Sequence, residues 1–294
     1  MGLIADRRKR ILINRYEVIT DKELRRVVEE YGARVCPKVR LADVFHISRS
    51  GISDPLYRYA LQSHFDFLIT DEATRLPLFA VEFDGSNHWR DPDLIRRDKM
   101  KQAVCEQFDF PLLRIDSEFL RQYRSFTLLS WLTELWFLHE AWYEAQRRGE
   151  VPLDEPFIYF GFMKVREGGG IEYPFDLAQP THLLIIRSYD EGYVAGVCPE
   201  YISREPEVGD TRSTAYAVLP LPKNRYIIGR ASCRLFHFPP IGPATLVMDL
   251  STVDLGERLK RYLKGEYVPD SAEQLATLHK HTEGWSREGS ILST

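Results

Sequence analysis

The 294-residue sequence lacks the features that define several common protein classes. Its longest apolar runs, such as 183–186, are far shorter than the about 18 to 20 residues that a membrane-spanning helix needs. Its four cysteines include no CxxC pair, so the sequence indicates reduced thiols and neither a zinc knuckle nor a dense disulfide framework. The formal net charge of -4 argues against a globally basic nucleic-acid binder, although a local basic patch can still bind phosphate.

The start of the sequence has no recognisable targeting signal. Residues 1–15 are basic but contain no apolar h-region, and Asp6 stands where a myristoylation signal has Ser or Thr. We therefore expect a cytoplasmic protein that does not bind membranes. The composition, with 44% hydrophobic and 28% charged residues, is typical of a folded globular protein, and the length suits about two domains.

The predicted elements divide the chain near residue 150. A capping box at Thr20 and Glu23 predicts that the first helix begins there. The periodicity then predicts strands at about 34–41, 64–70 and 77–83, a helix over 93–108 and a strand over 112–115. An almost wholly apolar stretch predicts a buried connector helix over 125–150.

Beyond residue 150 the pattern favours a second, mainly β (α+β) domain over 151–284. Strand-like segments separated by Gly, Pro, Asp and Asn occur at 157–165, 182–189, 192–197, 214–221, 225–238 and 244–250. Helices are predicted near 254–264 and 271–280, and residues 285–294 are predicted to be a disordered tail. One face of a predicted strand carries Arg230, Ser232 and Arg234 at alternating positions. The simplest interpretation is a solvent-exposed face. Alternatively, this face contacts phosphate or an acidic partner.

Three carboxylates stand inside or at the end of otherwise apolar strands. Asp66 lies in the first strand of the predicted hairpin, and Glu82 and Asp84 lie on one face at the end of the second. Burying carboxylates together is costly, and a divalent cation held by oxygen ligands is a natural compensation. The sequence therefore predicts that Asp66, Glu82 and Asp84 hold Mg (or Mn).

The predicted helix that follows places cations beside these carboxylates. It carries Arg96, Arg97, Lys99 and Lys101, and this combination of metal ligands and cations suits phosphate chemistry. Arg96, Arg97 and Lys99 are candidate nucleic-acid contacts, or simply a solvated helix face.

The combined pattern resembles the PD-(D/E)XK nuclease superfamily. The similarity is carried by Asp66, by Glu82-x-Asp84-Gly85-x-x-His88, by Asp98-x-x-Lys101 and by FPLLRI at 110–115. It is greatest to an uncharacterised bacterial domain family found beside helicase or zinc-ribbon modules, which also has a segment similar to 35–43, so it covers about residues 20–118. The sequence resembles the very-short-patch mismatch endonucleases more distantly, through a comparable ExDG signature.

This resemblance implies an α/β fold with a restriction-endonuclease-like α-β-β-β-α-β core over 1–124 and a metal-dependent nuclease acting on DNA. Asp66 and Glu82 would be metal ligands, with Asp84 as ligand or base. Two departures stand out. In the first, Asp84 occupies the place of the usual lysine, so the catalytic lysine would be Lys101 or, as the alternative, Lys99. In the second, Asp109 replaces the glycine that commonly precedes the last strand. His88 would position water or substrate, or else bond to the loop backbone.

Two other functions fit the same sequence. The displaced lysine and the acidic net charge also suit a catalytically inactive nuclease-fold subunit that binds nucleic acid or a partner protein, and residues 151–294 would then contact the protein partner. The aromatic helix over 125–147 would alternatively be an assembly surface.

Overall fold

The structure is a computed structural model, which describes residues 11, 14–85, 91–123, 125–165, 168–207 and 210–289. The chain is of mixed α/β type and forms two compact units. Unit 1 contains Met1–Phe157 and Phe236–Pro240, and unit 2 contains Ile158–Leu235 and Ile241–Thr294. The division therefore falls seven residues beyond the boundary predicted near 150, and a short segment from late in the chain belongs to unit 1.

Unit 1 is built on a four-stranded sheet with the strand order β1-β2-β3-β4. β1, β2 and β3 are antiparallel neighbours, and β4 pairs with β3 in parallel. Its elements are α1 Arg15–Val28, β1 Ala33–Arg40, α2 Leu41–Val44, α3 Asp54–Gln62, β2 His64–Asp71, β3 Pro77–Phe83, α4 Pro92–Gln107, β4 Leu112–Ile115, β5 Gln122–Tyr123, β6 Phe126–Thr127 and α5 Leu128–Arg147.

The predicted order of helix, three strands, helix and strand is present in unit 1. α2 and α3 are additional helices between β1 and β2 that the sequence pattern did not indicate. The predicted start of α1 is wrong, because Asn14 and Glu17 form its capping box and the helix begins at Arg15. Thr20 lies inside α1 and is fully buried.

The connector helix is shorter than predicted and begins at Leu128. The Thr127 side chain caps it by accepting a hydrogen bond from the backbone N–H of Ser130 at 3.1 Å. The residues of its first half are buried, as the apolar pattern indicated, and Trp136 packs on Phe79 of β3 and on Phe238. No helix of the described residues is long and apolar enough to cross a membrane.

Unit 2 has a five-stranded sheet with the order β12-β11-β10-β9-β13 and a separate ribbon of β7 and β8. Its elements are β7 Met163–Val165, β8 Ile171–Pro174, α6 Gln179–Asp190, β9 Glu200–Ser203, β10 Arg212–Leu221, β11 Arg225–Arg234, α7 Pro243–Leu263, β12 Asp270–Ser271, α8 Ala272–His281 and β13 Ser286–Glu288. α7 packs closely on β11, since a Cβ at Gly229 would lie 2.1 Å from the Ser251 carbonyl oxygen.

Several predictions for unit 2 are wrong. The segments 182–189 and 244–250 belong to helices α6 and α7 rather than to strands, and 192–197 is not a strand. The unit is therefore α+β with long helices rather than mainly β. The predicted tail is also partly ordered, because Ser286–Glu288 pairs with β9, whereas 290–294 lies outside the described residues.

Candidate acidic site

The pairing of β2 with β3 brings Asp66 and Glu82 together. Phe67 of β2 stands opposite Val81 of β3, so the residues beside them are neighbours. The Glu82 carboxylate accepts the backbone N–H of Asp66 at 3.0 Å, and the Asp66 carboxylate accepts the backbone N–H of Phe83 at 3.0 Å. These reciprocal bonds fix both carboxylates at the same end of the hairpin.

Lys38 of β1 is the cation at Asp66. Its Nζ donates to Asp66 Oδ1 at 2.6 Å and to Glu17 Oε1 of α1 at 3.0 Å, and its side chain is 30% exposed. Lys38 has a φ of 56°, a left-handed backbone conformation that is unfavourable for a residue with a Cβ. The strand thus adopts an uncommon geometry at the residue that carries this ammonium group.

Lys101 of α4 is the cation at Glu82. Its Nζ donates to Glu82 Oε2 at 2.6 Å and to the His64 carbonyl oxygen at 2.8 Å, and it lies 5.9 Å from the centre of the Phe65 ring. The Lys101 side chain is only 10% exposed. A lysine with its charge buried needs such partners, because an unpaired buried ammonium is strongly destabilising.

Asp84 binds Arg114 rather than a lysine. The Arg114 guanidinium donates to both carboxylate oxygens of Asp84, at 3.0 and 2.8 Å, and also lies 2.8 Å from Asp98 Oδ1 of α4. Arg114 stands beside Glu82 in the parallel register of β3 and β4. This fork geometry is the strong, planar form of a carboxylate–arginine contact. We define the acidic site as Asp66, Glu82 and Asp84 with Lys38, Lys101 and Arg114.

Burial and neighbouring charges shift the pKa values of four groups in the acidic site, namely Glu82, Lys101, Arg114 and Lys38. Burial, together with the nearby charge of Asp66, raises the pKa of Glu82 to about 7 against the opposing effect of Lys101. Burial by itself would lower the pKa of Lys101, but the charge of Glu82 outweighs it and the pKa is raised. Asp84 likewise raises the pKa of the buried Arg114. The site therefore holds three cations with raised pKa values next to a carboxylate that is costly to ionise.

The site contains carboxylate oxygens, which are the type of donor that a cation such as Mg²⁺ takes. The contacts above join five carboxylates, of Glu17, Asp66, Glu82, Asp84 and Asp98, to only three cations. The described residues contain no group of three or more His, Cys, Asp or Glu side chains that could hold a metal ion. Mg²⁺ does not need such a group, because one or two carboxylates with waters and substrate phosphates commonly hold it. Asp66 and Glu82 form such a pair.

The remaining predicted residues lie apart from these contacts. Arg96, Arg97 and Lys99 are exposed on α4, and His88 lies outside the described residues. Asp109, which replaces the usual glycine, has a φ of 47° and so adopts the left-handed conformation expected there.

Sequence reasoning did not identify Lys38 and Arg114 as members of the site. A weak signal is present only for Arg114, which is the one charge in the otherwise apolar strand β4, because β1 carries Arg34 and Arg40 besides Lys38. A buried charge of that kind requires a partner of opposite sign.

Residues 9–126 match the family model described as "Protein of unknown function (DUF2726)". The matched region contains every residue of the acidic site and ends just before α5. No curated protein and no solved structure matches the chain.

Proposed function

We propose that unit 1 is a metal-dependent nuclease that hydrolyses phosphodiester bonds, with DNA as the substrate, and that the acidic site is its catalytic centre. The observation that carries the proposal is the contact set of Asp66, Glu82 and Lys101, in which a carboxylate pair on neighbouring strands meets a helix lysine. The resemblance to the PD-(D/E)XK superfamily rests on these same residues.

The topology of unit 1 supports this proposal. The element order from α1 to β4, with α2 and α3 inserted, follows the α-β-β-β-α-β order expected of a restriction-endonuclease-like core. The crossover through α4 makes β4 parallel to β3, so Glu82 of β3 lies beside Arg114 of β4 and also contacts Lys101 of α4. Fold likeness alone does not establish an activity, so the argument depends on the site.

Asp66 and Glu82 would hold the metal ion, with Asp84 kept in place by Arg114. A bound ion would supply charge stabilisation on the phosphoryl oxygens and would lower the pKa of an attacking water. Lys101 holds Glu82 in position through its 2.6 Å contact, which makes it a positioning residue. Lys38 orients Asp66 in the same way and is the more exposed of the two ammonium groups.

The proposal is tested by cleavage assays on the full chain with linear, supercoiled and single-stranded DNA and with RNA. Each is incubated with Mg or Mn beside an EDTA control. Glu82→Gln and Asp66→Asn should abolish cleavage while the fold persists, because each removes a negative ligand and preserves shape. Glu118→Gln is the matched control, since Glu118 is 71% exposed in the same unit. Equal cutting by Glu82→Gln and the parent protein would contradict the assignment.

A second assay separates Lys101 from its neighbour on α4. Lys101→Met should lower the rate constant of cleavage more than it weakens DNA binding, because the side chain is buried against Glu82. Lys99→Met should affect binding alone or nothing, because Lys99 is exposed. Single-turnover rates and binding constants measured on both variants distinguish these outcomes.

A second function is an inactive nuclease-fold subunit that binds nucleic acid or a protein. It is favoured by the internal pairing of the three carboxylates, since both oxygens of Asp84 already accept from Arg114. Magnesium titration by calorimetry separates the two functions. Heat of binding that Asp66→Asn removes supports the nuclease. Absence of both heat and cleavage on every substrate supports the inactive subunit.

A further inference from the structure

One face of the unit 2 sheet carries a cluster of basic and hydroxyl side chains. β10 and β11 are antiparallel, with Arg212 opposite Arg234, Thr214 opposite Ser232 and Tyr216 opposite Arg230. Residues directly opposite each other project from the same face of a sheet. We call the group of Arg212, Thr214, Arg230, Ser232 and Arg234 the arginine face.

Helices cover other parts of the unit 2 sheet. On the opposite face, Ala217, Leu219 and Ile227 pack against Leu255 and Leu259 of α7. On the face of the arginines, Leu275 of α8 packs with Tyr216 and Val218. Arg212 and Arg230 lie beyond this cover and are exposed.

The exposed guanidinium groups retain most of their hydrogen-bonding capacity. Arg212 donates to the hydroxyl and the carbonyl oxygen of Ser232, both at 3.0 Å, which uses two of its five N–H donors. The Arg230 guanidinium carbon lies 5.6 Å from the centre of the Tyr216 ring, a cation–π contact that orients the group. Within the described residues, neither Arg212 nor Arg230 forms an ion pair.

The placement of the arginines suits a bound polyanion. Arg212 and Arg234 stand directly opposite each other on antiparallel strands, so their positive charges lie on one face of the sheet. The step from Arg230 to Arg234 along β11 spans about 13 Å, so the arginines form a row rather than a single point. A row of planar guanidinium forks matches the repeated phosphates of a nucleic-acid strand.

We infer that the arginine face binds the phosphodiester backbone of a nucleic-acid strand. The inference rests on the proposed function, which makes nucleic acid the substrate, and assigns a substrate-binding surface to unit 2. An acidic protein segment is the competing ligand, because it also carries carboxylates that arginine recognises.

The test is fluorescence anisotropy on the full chain with labelled DNA and RNA of one sequence, single-stranded and duplex, in EDTA. In EDTA, binding is measured without cleavage. The variant Arg212→Gln with Arg230→Gln should weaken binding about tenfold or more. For a single strand it should also flatten the slope of log affinity against log salt by about 1.4, since each lost phosphate contact contributes about 0.7.

The matched control is Arg187→Gln with Lys264→Gln, which removes the same charge from exposed positions of unit 2 outside the arginine face. It should leave affinity nearly unchanged, and far-UV circular dichroism with thermal melts should show both variants folded. Equal losses in the two variants, or no binding by the parent protein, would overturn the inference. Poly-glutamate is measured in the same assay as a model of an acidic protein segment. If the arginine variant loses binding to poly-glutamate but keeps binding to nucleic acid, the inference is overturned in favour of a protein ligand. If nucleic-acid binding depends on the arginine face but the protein cleaves nothing in Mg, the inference about the arginine face stands. The proposed nuclease function is then rejected.

Discussion

The charges of the acidic site in unit 1 are paired and largely buried, whereas the guanidinium groups of Arg212 and Arg230 in unit 2 are exposed and have no carboxylate partner among the described residues. The difference follows from solvation. A buried charge without a partner loses its water and gains nothing in return, so its neighbours must be arranged around it. An exposed charge keeps its water and is available to a ligand. The charges of the acidic site therefore hold their neighbours in place in unit 1, whereas the exposed arginines of unit 2 are accessible to a ligand.

The largest effect should come from breaking the buried arginine contact. Arg114→Met would remove the contacts of Arg114 with Asp84 and Asp98, and removing one partner of a buried pair costs about 3 to 5 kcal/mol. Urea unfolding followed by tryptophan fluorescence measures this loss, because Trp131, Trp136 and Trp142 all lie in unit 1. Arg121→Met is the control, since Arg121 is 70% exposed. A cost for Arg114→Met as small as that of the control would mean that the charges are not held as described.

The carboxylates of the acidic site and the counter-ion Lys101 were predictable from the sequence, but the counter-ions Lys38 and Arg114 were not. The bounds of β2 and β3 follow from apolar runs on either side of a turn, and α4 follows from its helical period, which puts Lys101 on the face toward the sheet. Lys38 depends on the left-handed backbone of β1, and Arg114 on the parallel register of β4. Both are tertiary features that no local pattern specifies.

A second large effect on stability is expected when a buried phenylalanine of unit 1, rather than an exposed one of unit 2, is replaced by alanine. Phe238 follows unit 2 segments in the chain but belongs to unit 1, where it packs on Phe79 and Trp136. Phe238→Ala should lower the free energy of unfolding of unit 1 by about 3 kcal/mol, because it leaves a cavity in a core. Phe160→Ala in unit 2 should have little effect, since Phe160 is 60% exposed. The same urea titration tests both, and similar costs would contradict the assignment of 236–240 to unit 1.

The helices of unit 2 show where sequence patterns fail. The segment 182–189 is a short apolar run, and such a run does not by itself distinguish a strand from a helix. Its helix, α6, buries Ile185 but exposes Leu183 and Ile186, so its apolar residues do not form the single buried stripe that signals a helix. The segment 244–250 is likewise only the first third of α7. Strands β10 and β11, with long alternating runs, were predicted with nearly their observed bounds.

A smaller effect should appear in the pH dependence of unit 2. Burial raises the pKa of Asp249 to about 6 from an ordinary 3.8, although a hydrogen bond from Tyr159 opposes it. The folded state then holds a proton that the unfolded chain has released, so the free energy of unfolding falls as pH rises from about 4 to about 6. The contribution is on the order of 1 to 2 kcal/mol. Asp249→Asn should remove it, and the stability difference between variant and parent should grow with pH over that interval. A constant difference would contradict the shift.

The smallest effect should come from the arginine face itself. Arg230→Gln removes an exposed charge whose contact in the structure is with the Tyr216 ring, and such surface substitutions usually change stability by less than about 0.5 kcal/mol. Arg212→Gln should behave alike, because Arg212 is also exposed and forms no ion pair among the described residues. Thermal melts measure both variants. A loss as large as that expected for Arg114→Met would mean that these arginines hold the unit 2 sheet together, and the contrast between paired and available charge would fail.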